Sequence, residues 1–166
     1  MVTRRGEDPR PLPSETSLRV IMRGLREIMS DDGSGQAKLD KIVRQIAGVM
    51  VAEVCSIYLK RQDGSLELFA TEGLNPAAVH STRLKRGEGL AGRCAELGVT
   101  VNEPEASSHP AFSYRPETGE EVYHSLLAVP IERSGQILGV LVIQNKTQRE
   151  YSDEDVEVLH ATAMVI

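Results

Sequence analysis

The two most apolar stretches of the sequence, 124–131 and 137–145, are joined by a short segment that contains Ser134-Gly135-Gln136. Two such runs around a short connection with a glycine predict an antiparallel β-hairpin. Both runs are apolar at nearly every position, so both faces of this hairpin must be covered. The sequence therefore predicts a sheet that lies between two layers. Neither run approaches the ~20 apolar residues that a membrane-spanning helix needs.

The remaining periodicity predicts helices and further short strands. Apolar residues recur at helical spacing from Leu18 to Met29 and from Leu39 to Met50, on either side of a turn at 31–35. The other predicted elements are strands at 54–61 and 66–71 around Asp63-Gly64, a strand at 82–86, a short helix at 87–98, a strand at 99–102, a loop at 103–121 and a helix from Ser152. Hairpins combined with helices indicate an α+β architecture.

The two ends of the sequence differ from the segment between them. Residues 1–16 contain three prolines and many charges, so we expect a disordered N-terminal arm. Residues 17–166 then form one domain, since 166 residues are typical of a single domain. The last helix reaches Ile166 without a glycine or a basic cluster, so we expect it to be cut short there and to continue in a longer protein.

Composition excludes several functions. There are 19 basic and 24 acidic residues, and aromatic residues are only 4%, which argues against nucleic-acid binding. Two cysteines, Cys55 and Cys94, are too few for a disulfide framework, and four scattered histidines have no metal-ligand spacing. No signal peptide is visible. We therefore expect a cytoplasmic protein with reduced thiols that contacts neither nucleic acid nor membrane.

No motif for catalysis is present. The sequence lacks Gly-x-Ser-x-Gly, His-Glu-x-x-His and a phosphate-binding Walker loop, and the acidic pair Glu120-Glu121 is interpreted as solvated charge. Gly87-x-Gly89-x-x-Gly92 matches the dinucleotide fingerprint, but the parallel crossover that this fingerprint requires is missing. Turn formation is the simpler interpretation. In the functional alternative, the N–H groups of Gly89 and Leu90 bind a ligand carboxylate.

The loop at 103–125 is the best candidate for ligand contacts, because long loops in compact domains are often functional. Its side chains combine apolar bodies with polar tips, as a small-molecule site requires. The alternative is that the aromatic residues only anchor the loop. Arg93 suits a ligand carboxylate but is also compatible with the surface. The candidate ligand-binding residues are Gly89, Leu90, Arg93, His109, Phe112, Tyr114, Tyr123 and Ser125.

Several of these motifs together resemble a GAF domain. They are RGEGLAGRCAELGVTVNE at 86–103, LLAVPIERSGQILGVLVIQNK at 126–146 and the YSDEDVEVL that follows. More narrowly, EVCSIYL at 53–59 and HPAFSYRPETGEE at 109–121 are similar to the N-terminal GAF domains of the nitrogen-related enzyme I family, the phosphoenolpyruvate–protein phosphotransferases of the nitrogen phosphotransferase system. The resemblance covers about residues 18–166.

The resemblance implies a fold and a function. The fold is a six-stranded antiparallel sheet with the terminal helices on one face, and the short helix and long loop on the other. The function is that of a non-catalytic sensor of nitrogen status, with glutamine or 2-oxoglutarate as effector, that controls autophosphorylation of a downstream catalytic region. Phosphoenolpyruvate, Mg²⁺ and the phosphocarrier protein would be bound outside this chain, which needs no cofactor itself. We expect a polar-lined void between the loop and the sheet.

Two alternatives remain open. In the first, the domain serves only for dimerisation and linkage, with a pocket filled by Phe112, Tyr114 or Tyr123. A homodimer through the terminal helices is expected in either case, because Leu18, Met22, Leu25 and Met29 have heptad-like spacing. In the second alternative, the domain senses a cyclic nucleotide. Asn145-Lys146, Tyr151 and Asp155 resemble the corresponding motif, but Tyr replaces Phe and Val156 replaces Glu; a structural Lys146–Asp155 pair is the simpler interpretation.

Overall fold

The computed structural model describes residues 13–166. The helices are α1 (Pro13–Ser30), α2 (Gly35–Met50), α3 (Gly89–Leu97) and α4 (Asp153–Ala163). The strands are β1 (Val54–Lys60), β2 (Leu66–Glu72), β3 (Arg83–Leu84), β4 (Val101–Glu103), β5 (Ser125–Arg133) and β6 (Gln136–Asn145). Four short 3₁₀ turns lie at Pro76–Ala78, Ala106–Ser108, Pro116–Thr118 and Glu120–Val122.

The N-terminal boundary differs from the expectation. Residues 1–12 of the arm that we predicted to be disordered lie outside the described residues, whereas 13–16 belong to α1. Helix α1 therefore begins at Pro13 rather than at residue 17. Proline is well tolerated in the first turn of a helix, where its missing N–H removes no intrahelical bond.

The six strands form one antiparallel sheet in the order β3-β2-β1-β6-β5-β4, which confirms the predicted α+β fold. Strands β5 and β6 pair from Ser125 opposite Asn145 to Arg133 opposite Gln136, and this is the hairpin indicated by the sequence. Strand β1 pairs with β6 on one side and with β2 on the other. The two predicted hairpins thus meet at the centre of the sheet.

Each face of the sheet has its own apolar core. Helices α1, α2 and α4 cover one face, where Ile21, Ile46, Leu141 and Ile143 are buried; we call this the helical face. Helix α3 and the segment 104–124 cover the opposite face, where Leu68, Cys94, Val140 and Val142 are buried; we call it the roof face, and 104–124 the roof. Because strand side chains alternate, β6 supplies residues to both cores, and the continuous apolar run at 137–145 follows from this.

The segment that resembles a cyclic-nucleotide motif holds α4 against the sheet. The Tyr151 hydroxyl donates to Asn145 Oδ1 at 2.7 Å, and Asn145 Nδ2 donates to the Val51 carbonyl at 3.1 Å. Ser152 and Asp155 form a capping box at the start of α4. The predicted Lys146–Asp155 pair is wrong, because the Asp155 carboxylate is paired with Arg149 at 3.2 Å.

Two kinds of feature are absent from the part of the chain that the structure describes. Across residues 13–166, no helix is both long and apolar enough to cross a membrane. In the same range, no three His, Cys, Asp or Glu side chains are grouped so as to hold a metal ion.

Candidate functional site

The roof folds back over the sheet, as the sequence analysis expected. Ala111 and Phe112 pack against the roof-face core. Backbone bonds fix the roof at its edges: Asn75 N donates to the Thr118 carbonyl at 3.0 Å, and Ala106 N donates to the His124 carbonyl at 2.7 Å. The roof is therefore a part of the folded domain and does not extend into solvent.

A small cavity of about 30 Å³ lies between the roof, α3 and the strands beneath them. This volume holds about one water molecule. The expected void is thus present but nearly filled, and Phe112 is one of the side chains that fill it. The cavity is lined by Tyr58, Leu90, Ala91, Phe112, Ser113, Glu120, Leu126, Val142 and Gln144.

Among the described residues that line this cavity, Glu120 alone is charged. The pKa of its carboxyl group is raised to about 7, mainly by burial; a hydrogen bond from Gln144 opposes this shift, and the negative charges of Glu117 and Glu121 add to it. That bond is long, with Gln144 Nε2 3.5 Å from Glu120 Oε2. The interpretation of Glu120 as a solvated charge is therefore wrong; it is an under-satisfied carboxyl group inside the domain.

Tyr58 brings a hydroxyl group to the same cavity from strand β1. The side chain is 6% exposed, and burial raises its pKa, with the negative charge of Glu120 as a second cause. The phenol therefore stays protonated and remains a hydrogen-bond donor. Together with Ser113, the side chains of Tyr58, Glu120 and Gln144 give the cavity both hydrogen-bond donors and acceptors.

Arg115 lies in the roof near the start of α3. Its guanidinium forms an ion pair with Glu88, the residue that precedes the helix. The Arg115 Nε atom is buried and has no hydrogen-bond partner in the described part of the chain. A buried donor without a partner is costly, and a ligand acceptor would relieve that cost.

Of the eight predicted site residues, the structure places Leu90 and Phe112 on the cavity wall. Gly89 is adjacent: a Cβ atom added there would lie 3.3 Å from Ser113 Cβ in the roof. Gly89 also begins α3, so the N–H groups of Gly89 and Leu90 are in its first turn, as predicted. The backbone of Gly89 has φ +71°, which favours glycine at this position.

The other five predicted residues do not line the cavity. Arg93 and Tyr114 are exposed, because they lie on the outer sides of α3 and of the roof. The Tyr123 hydroxyl donates to the Gly73 carbonyl at 3.2 Å, so this ring anchors the roof. The Ser125 hydroxyl bonds Tyr151 at 3.1 Å and faces the helical layer.

His109 is the fifth of these residues, and its ring contacts the roof and strand β4 instead of the cavity. Its Nδ1 accepts from the Ala111 N–H at 3.0 Å, and its Nε2 lies 3.6 Å from a Glu103 oxygen. The backbone before Pro110 is extended, as predicted for this position. His109 therefore shapes the loop that carries Phe112.

Both cysteines are free and buried, one in each core. Burial raises the pKa of the Cys94 thiol to about 12 and raises that of Cys55 as well. A thiol is nucleophilic only as the thiolate, so both cysteines are packing residues.

Sequence reasoning missed Tyr58, Ser113, Glu120 and Gln144. Gln144 had a usable signal, because it lies two residues after Val142 and four after Val140 and so shares their face of the strand. Tyr58 is likewise on the opposite face from Ile57 and Leu59. No sequence pattern indicated that Glu120 would line the cavity, since its burial follows from the path of the roof.

Comparisons with known proteins agree with this geometry. Residues 34–166 match the GAF domain family. A phosphoenolpyruvate-dependent phosphotransferase system protein of Escherichia coli K12 is 37% identical over 150 residues, which cover 87% of this chain and 20% of the relative. The chain thus spans about a fifth of the length of this curated relative.

Two solved structures are similar over nearly their whole length. The GAF domain of a phosphoenolpyruvate-protein phosphotransferase from Coxiella burnetii has a TM-score of 0.83 at 33% identity, covering 91% of this chain and 90% of that one. The corresponding GAF domain from Acinetobacter has a TM-score of 0.80 at 36% identity, covering 90% and 89%.

Proposed function

Because the chain belongs to the GAF domain family and is related to the GAF domains of phosphoenolpyruvate-protein phosphotransferases, we propose that it is the sensor of such an enzyme. In this proposal the domain binds a small nitrogen-status metabolite beneath the roof and controls autophosphorylation of a catalytic region, and thereby phosphoryl transfer to a phosphocarrier, in the cytoplasm. The observation that carries it is the partly buried Glu120 carboxyl group inside the cavity.

The charge of the cavity favours glutamine over 2-oxoglutarate. The lining includes one acidic residue, Glu120, and no basic residue. A dicarboxylate placed there would meet a like charge in a poorly solvated site, whereas the ammonium group of an amino acid would neutralise it. Gln144 and Tyr58 supply hydrogen bonds for a side-chain amide.

Glutamine does not fit into 30 Å³, so binding requires the roof to move. In this proposal the structure corresponds to the closed form. A ligand stabilises an open form only by the difference between its affinities for the two forms. Gly119 is a suitable hinge, since it has φ +72° and nothing within 4 Å of the position of a Cβ atom.

Hydrogen bonds around the edge of the sheet connect the roof with the helical face. The Thr82 hydroxyl donates to Glu117 in the roof at 3.3 Å. Two residues earlier, the His80 ring contacts Gln36 Oε1 on α2 at 2.8 Å. Movement of the roof would therefore change the hydrogen bonds that support α2. A homodimer through the terminal helices remains part of the proposal; on α1, Val20 and Met29 are about half exposed.

Linkage without sensing is a second candidate, and the position of Phe112 supports it. A domain whose cavity is permanently filled by this ring would serve only to dimerise and to connect. The two candidates differ in one respect, namely whether the roof opens to a ligand.

Isothermal titration of the chain with glutamine and with 2-oxoglutarate at pH 8 separates them. We expect glutamine to bind with a Kd below about 1 mM, corresponding to about −4 kcal/mol or better, and 2-oxoglutarate not to bind in the roof cavity. Glu120→Gln should weaken glutamine binding at least tenfold. Glu121→Gln, its exposed neighbour, is the matched control and should bind normally.

Three results would overturn the proposal. If glutamine gives no heat at 10 mM while the protein is folded and dimeric, the linkage function is supported instead. Equal binding by the Glu120→Gln variant would remove Glu120 from the site. Binding of a cyclic nucleotide in place of glutamine would support the alternative in which the domain senses a cyclic nucleotide.

A further inference from the structure

A second and much larger cavity lies at the other end of α3. Its volume is about 630 Å³, and it is bordered by the β1–β2 turn, the β5–β6 turn and the outer turn of α3. We call it the basin. This volume lies within the range of small-molecule sites, which is about 300–1,000 Å³. None of its lining residues also lines the roof cavity.

The charge of the basin is opposite to that of the chain as a whole. The chain has a net charge of −5, yet the basin is bordered by Lys60, Arg61 and Arg86 against the single acidic residue Glu96. Arg61 is already paired with the buried Glu67 at 2.6 Å. Lys60 and Arg86 form no ion pair with any residue from 13 to 166, so two cations remain available.

The walls of the basin are built from packed backbone and apolar side chains. Helix α3 lies directly on the Gly87 turn, where a Cβ atom on Gly92 would come within 3.0 Å of the Gly87 carbonyl carbon. The aliphatic part of Arg86 lies across Gly64 in the neighbouring turn, with its Cδ 3.4 Å from the position of a Cβ there. Ala95, Ile137 and the 40%-exposed Leu138 provide apolar surface beside the cations.

We propose that the basin binds a small organic phosphate monoester. Its dianionic phosphate group would lie between Lys60 and Arg86, since two cations match two negative charges and an arginine can bind phosphate oxygens in a bidentate manner. Its organic part would lie on Ile137 and Leu138, which accounts for a basin much larger than a phosphate ion. The proposal does not depend on ligand binding under the roof, because no residue is shared between the two sites.

The test is titration calorimetry of the chain with AMP as the probe, and with inorganic phosphate and adenosine as comparisons. We expect AMP to bind at least tenfold more tightly than either comparison at low ionic strength. The Lys60→Gln/Arg86→Gln double variant should lose at least tenfold in AMP affinity. Lys85→Gln is the control, because Lys85 is an exposed neighbour that does not border the basin, and it should leave AMP binding unchanged.

The Glu96→Gln variant should change AMP affinity in the opposite direction from the double variant. Glu96 borders the same basin, and its carboxylate repels a phosphate dianion, so its removal should tighten AMP binding about two- to fivefold. If these side chains had only structural roles, their replacement would not change AMP affinity in opposite directions. The proposal is overturned if AMP does not bind at 5 mM, if inorganic phosphate binds as tightly as AMP, or if the double variant binds AMP as the wild type does.

Discussion

The two cavities on either side of α3 differ in size, charge and enclosure. The roof cavity has about 30 Å³ and a carboxyl group inside, whereas the basin has about 630 Å³ and cations on its rim. The apolar side chains that line the roof cavity belong to the roof-face core, so ligand entry there must be coupled to the stability of the domain. The basin is already open, so a ligand would bind without rearrangement. The enclosed roof cavity is therefore suited to a conformational switch, whereas the open basin is suited to binding a ligand without a conformational change. The two cavities differ in this respect because of their enclosure and not because of their volume.

The largest effect should come from Phe112→Ala, which empties the roof cavity. We expect the free energy of unfolding to fall by about 2–3 kcal/mol, because a large ring is replaced by a methyl group at a packed site. If closure by Phe112 opposes glutamine, its affinity should rise several-fold in this variant. Urea unfolding and calorimetry measure the two quantities. Tyr114→Ala, which removes an exposed ring two residues later, should change stability by less than about 0.5 kcal/mol.

Gly92→Ala should disturb both cavities, since α3 separates them. The added methyl group would lie 3.0 Å from the Gly87 backbone, which cannot move aside as a flexible side chain would. We expect a loss of about 2 kcal/mol in unfolding free energy despite the better helix propensity of alanine. Gly48→Ala in α2 is the control, because it has nothing within 4 Å and should stabilise by about 0.5–1 kcal/mol. Thermal melts showing the same sign for both variants would contradict this packing argument.

The Glu120 carboxyl group should make stability depend on pH. Its pKa is about 7 in the folded domain and near 4.5 in the unfolded chain, so the folded state holds more protons between these values. The contribution of Glu120 to stability therefore falls as the pH rises from about 4.5 to 7. When the pH rises from 4.5 to 8, the difference in unfolding free energy between Glu120→Gln and the wild type should therefore shift by about 1 kcal/mol in favour of Glu120→Gln. Urea midpoints at the two pH values test this, and Glu121→Gln, which removes only the weakest of the causes that raise the Glu120 pKa, should show a much smaller change.

The smallest effect on stability is expected at the basin. Lys60, Arg86 and Glu96 are all exposed, so replacing each with glutamine should change the unfolding free energy by less than about 0.5 kcal/mol. A loss above 1 kcal/mol in any of the three basin variants, measured in urea, would show that the basin is coupled to the core after all.

Periodicity predicted the architecture because it is a local property of the sequence. The alternation in β1, the helical spacing in α2 and the turn at Asp63-Gly64 each determine an element without reference to the rest of the chain. The roof was recognised as a candidate by its length and residue types. Phe112, one of its residues, lies on the cavity wall; Leu90 lies there too, although it was singled out for its backbone N–H at the start of α3.

The chemistry of the cavities depended on tertiary structure and was largely missed. Glu120 and Glu121 are adjacent and identical, yet one lines a cavity and the other is exposed. Only the path of the roof decides which of them is enclosed. Similarly, Lys60 and Arg86 lie 26 positions apart and border the same basin because two turns and α3 converge there.

The most direct measurement is a crystal structure of the chain grown with glutamine. The proposed sensor function predicts the amino group of glutamine within hydrogen-bond distance of the Glu120 carboxylate, and Phe112 displaced from its position in the closed form. Glutamine bound elsewhere, or a roof cavity still filled by Phe112 at saturating glutamine, would contradict it.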